Sequence, residues 1–295
     1  MKKHDDPALL ASFDRKLELI RDRVKSVAHK YHTAAYLVGR PGTSKTFTVM
    51  EELESLEVPH VIRNARMTPM GLFELLLEHP EHVIVLDDIA SLFRQQAALQ
   101  ILMAALDGDP GKPRTITYKS KDKDLSFEFT GGVIAISNVP FHHDPLVNAV
   151  ASRVVQLEHE PSDEEIAAFM RSLAEKGYKN LSPEQCHEIV DFIVAETRKH
   201  DARLDLRHLT KAYEDRRQWE DGHTSTDWQD LVRTSLRKPM DQPVTPISKA
   251  EEIELQRQRV RQAVEKFPND RRRQLEFTGL KKSRFYERLR EIQVA

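Results

Sequence analysis

A short segment between an apolar run and a helical pattern has the residue types that bind polyphosphates. It consists of Gly39, Arg40, Pro41, Gly42, Thr43, Ser44, Lys45 and Thr46. In such a P-loop, backbone N–H groups and the start of the following helix converge on phosphate oxygens. Lys45 is placed to reach the β- and γ-phosphates, and the Thr46 hydroxyl is a ligand for Mg²⁺. The segment therefore predicts binding of ATP together with Mg²⁺.

The loop departs from the usual pattern at one position, because Ser44 stands where a glycine normally precedes the lysine. A serine fits there provided that the backbone does not require a positive φ, which only glycine adopts readily.

Two further apolar runs end in polar residues suited to phosphate chemistry. Residues 83–86 lead into Asp87 and Asp88, and residues 134–137 lead into Asn138. Beside a P-loop, a carboxylate at the end of a buried strand is the expected partner of the bound Mg²⁺, which is the role we assign to Asp87. Asp88 would then polarise the attacking water, and the amide of Asn138 would orient that water against the γ-phosphate.

This order of motifs resembles that of the AAA+ ATPases, over roughly residues 15–220. The resemblance makes the segment 39–46 the Walker A motif, residues 83–88 the Walker B motif and Asn138 sensor 1. The usual Walker B motif ends in Asp-Glu, and Asp88 replaces that glutamate. The family's fold and ATPase activity follow as expectations.

The same resemblance assigns roles to two arginines. The segment 144–153 is similar to the Ser-Arg motif of clamp-loader ATPases, in which the arginine projects into the ATP site of the neighbouring subunit. Arg153 would supply that positive charge in trans. Arg207 is similar to sensor 2, which contacts the γ-phosphate from the second domain. The alternative for Arg153 is a surface salt bridge at a helix end, and the alternative for Arg207 is a helix-surface arginine next to Asp205.

An additional segment, residues 114–129, alternates in hydrophobicity on both sides of a polar centre, which predicts a β-hairpin. It resembles the hairpin that many AAA+ proteins insert before sensor 1. Lys119 and Lys121, with Lys123, lie at its centre, where they would contact a phosphate backbone. The interleaved aspartates favour the alternative of a solvated hairpin.

The end of the sequence has the pattern of a helix-turn-helix, over residues 271–290. Its second helix would pack Phe285 and Leu289 inward. It would expose the cationic side chains of Lys281, Lys282, Arg284 and Arg288. We therefore predict DNA binding by this tail, with an inert helical hairpin as the alternative.

Near-continuous apolar runs alternate with helical patterns through the first 160 residues, which predicts an α/β domain with a parallel sheet. Only helical patterns follow. We expect an α/β P-loop (AAA+) domain over 1–160, a helical lid domain over 161–238, a proline-rich linker over 239–248 and a helix-turn-helix-like tail over 249–295.

Composition limits the class of protein. The 295 residues are 39% hydrophobic and 31% charged, and no apolar run is long enough to span a bilayer. The first residues lack the apolar run of a signal peptide, so we expect a cytoplasmic protein with no membrane partner. One cysteine, Cys186, excludes an internal disulfide. Residues 247–295 carry a net charge of +5 and the remainder −7, which suggests a separate partner for the tail.

Together these features predict an oligomeric ATPase that acts on DNA as an initiator, a helicase loader or a regulator of transposition or mobile elements. We expect a ring or helical homo-oligomer, with a hexamer preferred. The alternatives are an ATPase that remodels a protein partner and, because of Ser44 and Asp88, a nucleotide switch that turns over slowly.

Overall fold

The computed structural model describes residues 6–64, 67–88, 92, 94–119, 124–140, 145–240, 249–268, 270–278, 280 and 282–294. The chain divides into two compact units, Met1–Met240 and Asp241–Ala295.

A parallel five-stranded sheet forms the centre of the first unit. Its strands are β1 (Ala34–Val38), β2 (His60–Asn64), β3 (Val83–Asp87), β6 (Gly132–Ser137) and β7 (Val155–Glu158). They lie in the order β2-β3-β6-β1-β7. Since all five are parallel, their carboxyl ends meet at one edge and their amino ends at the opposite edge.

Helices cover both faces of this sheet, as the near-continuous apolar strands predicted. They are α1 (Asp6–Ala28), α2 (Lys45–Ser55), α3 (Pro69–Glu78), α4 (Gln96–Leu106) and α5 (Pro145–Ala151). Ala35 and Leu37 of β1 pack on the side of α1 and α2. Tyr36 of the same strand points to the opposite side, into the core formed with α3, α4 and α5. The α/β fold prediction is therefore confirmed.

The predicted hairpin is present as β4 (Arg114–Lys119) and β5 (Asp124–Phe129), which pair antiparallel. Its inner face packs on α3, where the ring of Phe127 meets that of Phe73 edge to face at 5.1 Å. Lys119 pairs with Asp124 at 2.8 Å, so part of its charge is compensated. Lys121 lies outside the described residues.

Four helices follow the sheet: α6 (Asp163–Ala174), α7 (Pro183–Lys199), α8 (Leu206–Glu220) and α9 (Trp228–Met240). Capping boxes at Ser162 and Ser182 define the starts of α6 and α7. Helix α9 continues to Met240, past the boundary expected at 238, and residues 241–248 of the predicted linker lie outside the described residues.

The second unit contains α10 (Lys249–Lys266), α11 (Arg271–Thr278) and α12 (Lys282–Val294). Val260, Phe285 and Leu289 form its core, so the inward packing of Phe285 and Leu289 is confirmed. Lys282 and Arg284 are exposed, and Lys281 lies outside the described residues.

The expected exposure of Arg288 is wrong. Arg288 is only 8% exposed and donates hydrogen bonds to Gln256 of α10 and to Glu291. Its position explains the difference, because residues three and four apart share a helix face and Arg288 shares one with the buried Phe285. Arg288 therefore joins α12 to α10. Within the described parts of the chain, no helix is long and apolar enough to cross a membrane.

Candidate nucleotide site

A cavity of about 690 Å³ opens at the carboxyl edge of the sheet and extends to α6 and α8. Most of the residues predicted from the sequence line it. They are Pro41, Gly42, Thr43, Ser44, Lys45, Thr46, Asp87, Asp88, Asn138 and Arg207. Residues separated by more than 160 positions thus meet at one place. Parallel strands bring them there because the loops that follow the strands share one edge.

The amino group of Lys45 lies in the base of the P-loop and is largely buried. It donates hydrogen bonds to the carbonyl oxygens of Gly39 at 2.7 Å and Arg40 at 2.6 Å, and it lies 3.5 Å from Oδ1 of Asn138. Burial lowers the pKa of Lys45 to about 8, although Glu160 and Asp87 act in the opposite direction. The ammonium ion is therefore held with neutral acceptors and little solvent.

Ser44 adopts a positive φ of 73°, so the condition under which a serine fits easily at this position is not met. The chain makes a left-handed turn here as it passes from the loop into α2. The Ser44 side chain makes no capping hydrogen bond that would offset the cost of this conformation. The position therefore favours the glycine that Ser44 replaces.

The two residues assigned to Mg²⁺ are in direct contact. The hydroxyl of Thr46 donates a hydrogen bond to Oδ2 of Asp87 at 3.0 Å. A hydroxyl and a carboxylate are hard oxygen donors of the kind that Mg²⁺ takes, so the pair fits this ion. Asn64 at the end of β2 is paired in register with Asp87 and also lines the cavity. Asn64 was not predicted as a site residue, although it lies at the end of an apolar run in the sequence.

Asp88 and Asn138 are exposed at the neighbouring strand ends. Asp88 has a positive φ of 54°, which aspartate tolerates better than most residues, and its N–H donates to the carbonyl of Ile136 at 3.0 Å. This bond fixes the turn after β3 to strand β6, the strand that carries Asn138. Both polar side chains consequently face the same cavity.

The start of α8 rests directly on the P-loop. The N–H of Leu206 donates to the carbonyl of Gly42 at 2.9 Å, and a Cβ on Gly42 would overlap the carboxylate of Asp205. Gly42 is thus required for this close approach. Asp205 also accepts a hydrogen bond from the N–H of Arg207 at 2.7 Å, and these contacts bring Arg207, in the first turn of α8, to the cavity.

Arg40 differs from the rest of the loop, because its side chain contacts residues at or just before the starts of α6 and α8. The guanidinium donates to the carbonyl oxygens of Leu204 at 3.0 Å and Pro161 at 3.1 Å, and pairs with Asp163 at 2.7 Å. Neither Arg40 nor Gly39 is among the residues that line the cavity. Nucleotide binding by Gly39 and Arg40 stays a prediction. For Arg40 it concerns the backbone of the loop, because the side chain points away from the cavity.

His159 supports the loop from below and was not identified from the sequence. Its Nε2 lies 2.9 Å from the carbonyl oxygen of Thr43, and burial lowers the pKa of the imidazole. A Cβ on Gly39 would overlap the His159 carbonyl, so a glycine is needed at the start of the loop. The contact spans more than 100 residues, and no local pattern indicates it.

The far side of the cavity is mainly apolar. It is lined by Phe169 and Leu173 of α6, Leu209 and Tyr213 of α8, and Tyr178 from the connection between α6 and α7. The rings of Tyr178 and Tyr213 stack at 4.8 Å, and the Tyr178 hydroxyl donates to Glu214 at 2.8 Å. This apolar surface was not predicted from the sequence. Apolar residues at helical spacing indicate a buried core as well as they indicate the lining of a binding site.

Arg153 lies at the opposite edge of the sheet from the cavity. It precedes β7, which runs parallel to β1, whereas the P-loop follows β1. The five residues of β1 separate the two edges by about 16 Å. Arg153 pairs with Asp107 at 3.2 Å and donates to the carbonyl of Ala149 at 2.7 Å. Arg153 is therefore too far away to serve the P-loop of its own chain.

No protein-family model matches this sequence, and the search of curated proteins gave no significant match. The fold is similar to that of the ORC2 protein of Aeropyrum pernix in its ADP form. The TM-score is 0.51 at 13% identity, over 95% of this chain and 84% of that chain. A second structure of that protein, of its ADPNP-ADP complexes, gives 0.49 at 14% identity, over 96% and 80%. The first likeness shows an α/β fold similar to that of the ORC2 protein.

We predict that Ser44→Gly stabilises the protein. Glycine removes the cost of a left-handed backbone, about 1–2 kcal/mol, and loses part of that gain to the greater entropy of the unfolded chain. The net expectation is an increase of about 0.5–1 kcal/mol in the free energy of unfolding, measured by urea denaturation. Ser44→Ala is the matched control, because it keeps the Cβ. Equal stability of the glycine and alanine variants would contradict this account of Ser44.

Proposed function

We propose that this protein binds ATP with Mg²⁺ in the cavity at the carboxyl edge of the sheet and hydrolyses it. The observation that carries the proposal is the convergence of one cation, one hydroxyl, two carboxylates and one amide on the end of a P-loop. These groups belong to Lys45, Thr46, Asp87, Asp88 and Asn138. The solved ADP form of the ORC2 protein, which has a similar fold, supports a nucleotide as the ligand.

Each residue has a role that follows from its position. Lys45 neutralises phosphate charge from the base of the loop, and the backbone N–H groups at the start of α2 point toward the same oxygens. Thr46 and Asp87 would hold Mg²⁺, which supplies charge neutralisation between the phosphates when it is bound. Asp88 accepts a proton from the attacking water, Asn138 orients that water, and Arg207 approaches the γ-phosphate from α8.

The apolar side of the cavity is the proposed site of the adenine ring. Phe169, Leu173 and Leu209 provide a surface that excludes water from the ring, and Tyr178 presents an aromatic side chain beside them. These residues belong to the lid helices, whereas the phosphate-binding residues belong to the sheet domain. A bound nucleotide would therefore contact both parts and stabilise their present arrangement.

We further propose that hydrolysis requires a second copy of the chain. Arg153 lies at the amino edge of the sheet, where only the nucleotide of a neighbouring chain is within reach. Its ion pair with Asp107 is exposed to solvent, and exposed pairs contribute at most about 1 kcal/mol. The guanidinium can consequently exchange Asp107 for the phosphate of a neighbour at small cost, and a positive charge placed there accelerates phosphoryl transfer.

Acting on DNA is proposed for the second unit. Lys282 and Arg284 are exposed in the first turn of α12, and residues 247–295 carry a net charge of +5. The helix-turn-helix arrangement would place this turn against the nucleic acid. Arg288 is excluded from this surface by its burial. Initiation, helicase loading and the regulation of transposition remain the proposed classes of activity, and remodelling of a protein partner is the alternative.

A slowly hydrolysing nucleotide switch is the second candidate function. It is favoured by Asp88, whose side chain is shorter than that of the glutamate usual at this position and must still reach the attacking water. The Asp88 backbone also has a positive φ. A measured steady-state ATPase rate far below one turnover per second, with ATP bound tightly, would select this candidate.

We predict that two inactive variants restore ATPase activity to each other. Arg153→Ala should bind ATP but hydrolyse it slowly, and Lys45→Ala should not bind ATP. In a mixture, the intact Arg153 of a Lys45→Ala chain can serve the intact P-loop of an Arg153→Ala chain. The steady-state ATPase rate of the mixture should therefore exceed that of either variant alone. A rate for the mixture equal to the average of the two variants would contradict hydrolysis in trans.

We also predict that the double variant Lys282→Ala/Arg284→Ala weakens DNA binding through lost phosphate contacts. The slope of log K against log [salt] should flatten by about two, because each phosphate contact contributes about 0.9. The matched control, Lys25→Ala/Lys199→Ala, removes two cations of the first unit and should leave the slope unchanged. An unchanged slope in the tail variant would exclude the helix-turn-helix and favour the hairpin around Lys119. If the unaltered protein binds no DNA at low salt, the protein-remodelling alternative is favoured.

A further inference from the structure

We infer that Tyr31 and Phe47 are anchor residues on the two opposite surfaces through which copies of this chain associate head to tail. The inference rests on the proposed assembly and extends it by naming the surfaces that form the contact. Among the described residues, these two are the most exposed large hydrophobic side chains, at 74% and 66%. They lie at opposite edges of the central sheet.

Tyr31 belongs to the amino edge, together with Arg153. It lies just before β1, and β1 pairs with β7 so that Ala35 is opposite Val155. The residues two positions earlier, Thr33 and Arg153, both lie at the amino edge, with Arg153 in the turn between α5 and β7. Thr33 also donates a hydrogen bond to the carbonyl of Leu106, next to Asp107, the ion-pair partner of Arg153. Tyr31 and Arg153 thus lie at the same edge of the sheet.

The position of Tyr31 is fixed, although its ring is exposed. Its N–H donates to the carbonyl of Ser26 at 2.9 Å, and the N–H of His32 donates to the same carbonyl at 3.0 Å. Lys30 takes a positive φ of 60°, which closes the end of α1. An aromatic side chain on such an ordered turn loses little conformational entropy when a partner covers it.

Phe47 belongs to the carboxyl edge, beside the nucleotide cavity. It follows Thr46 directly in the first turn of α2 and lines the cavity mouth. A neighbouring chain whose Arg153 approaches the phosphates must pass over this turn of α2. Phe47 would then be covered by that neighbour.

A second copy of the chain fits these two surfaces better than an unrelated partner. The amino edge brings the cations of Lys30 and Arg153, whereas the carboxyl edge brings the exposed carboxylate of Asp88 and, in the proposed complex, the phosphates. Aromatic anchors within a rim of complementary charge are typical of specific interfaces. Because the surfaces differ and lie on opposite edges, the contact is heterologous and repeats from chain to chain.

The test uses the full chain with Mg²⁺ and a slowly hydrolysed ATP analogue, and measures self-association by sedimentation velocity. Tyr31→Ala and Phe47→Ala should each weaken association about tenfold or more. Both side chains are largely exposed, so both variants should keep the circular dichroism spectrum of the parent. Leu19→Ala is the matched control, because Leu19 is 51% exposed on α1 and should leave association unchanged.

A mixture of the two variants distinguishes a head-to-tail contact from a symmetric one. The intact Tyr31 surface of a Phe47→Ala chain can meet the intact Phe47 surface of a Tyr31→Ala chain. Dimers should therefore form with the affinity of the parent, and larger species should not. No recovery in the mixture, or single variants that associate as the parent does, would overturn the inference while leaving the trans-hydrolysis proposal to its own test. A parent protein that stays monomeric with the analogue would overturn both.

Discussion

The buried amino group of Lys45 determines how the P-loop must fold around it. A cation largely removed from solvent requires acceptors, and the carbonyl oxygens of Gly39 and Arg40 supply them only if the loop folds back over the lysine. That path imposes the left-handed backbone at Ser44 and brings the carbonyls of Gly42 and Thr43 toward Leu206 and His159. The hydrogen bond between Leu206 and Gly42 therefore links the conformation of the loop to the position of α8.

The parallel sheet gives the molecule two different edges, and the proposed function uses both. The carboxyl edge gathers the ends of β1, β2, β3 and β6 around the phosphate site, whereas the amino edge carries Arg153 and Tyr31. Each chain holds the cavity proposed for the nucleotide, and Arg153, the arginine proposed to assist hydrolysis, lies at the opposite edge. The proposed association of identical chains follows from this separation, since the amino edge of one chain would bring Arg153 to the carboxyl edge of its neighbour.

The sequence predicted those parts of the structure that depend on local pattern. The strands and the hairpin follow from the apolar runs, and the polar residues that line the cavity follow from the ends of those runs. Parallel pairing of β3 with β6 brings Asp87, Asp88 and Asn138 together. Contacts between distant segments had no local signal, as the pairing of Arg40 with Asp163 and the apolar surface around Phe169 and Tyr178 show. Arg288 was misjudged because cationic residue type was weighed above the helix face it shares with Phe285.

If Lys45 binds the phosphates of ATP as a cation, the affinity for ATP must depend on pH. Burial holds the pKa of Lys45 at about 8, and bound phosphate must raise it, so binding above pH 8 takes up a proton. We expect little change in Kd from this group below pH 8 and an increase of about tenfold between pH 7 and pH 9. Lys45→Arg, which stays charged throughout, should show no such increase, and calorimetry at pH 8.5 in buffers of different ionisation enthalpy should detect the proton uptake. An unaltered protein whose Kd is the same at pH 7 and pH 9, without proton uptake, would contradict the account.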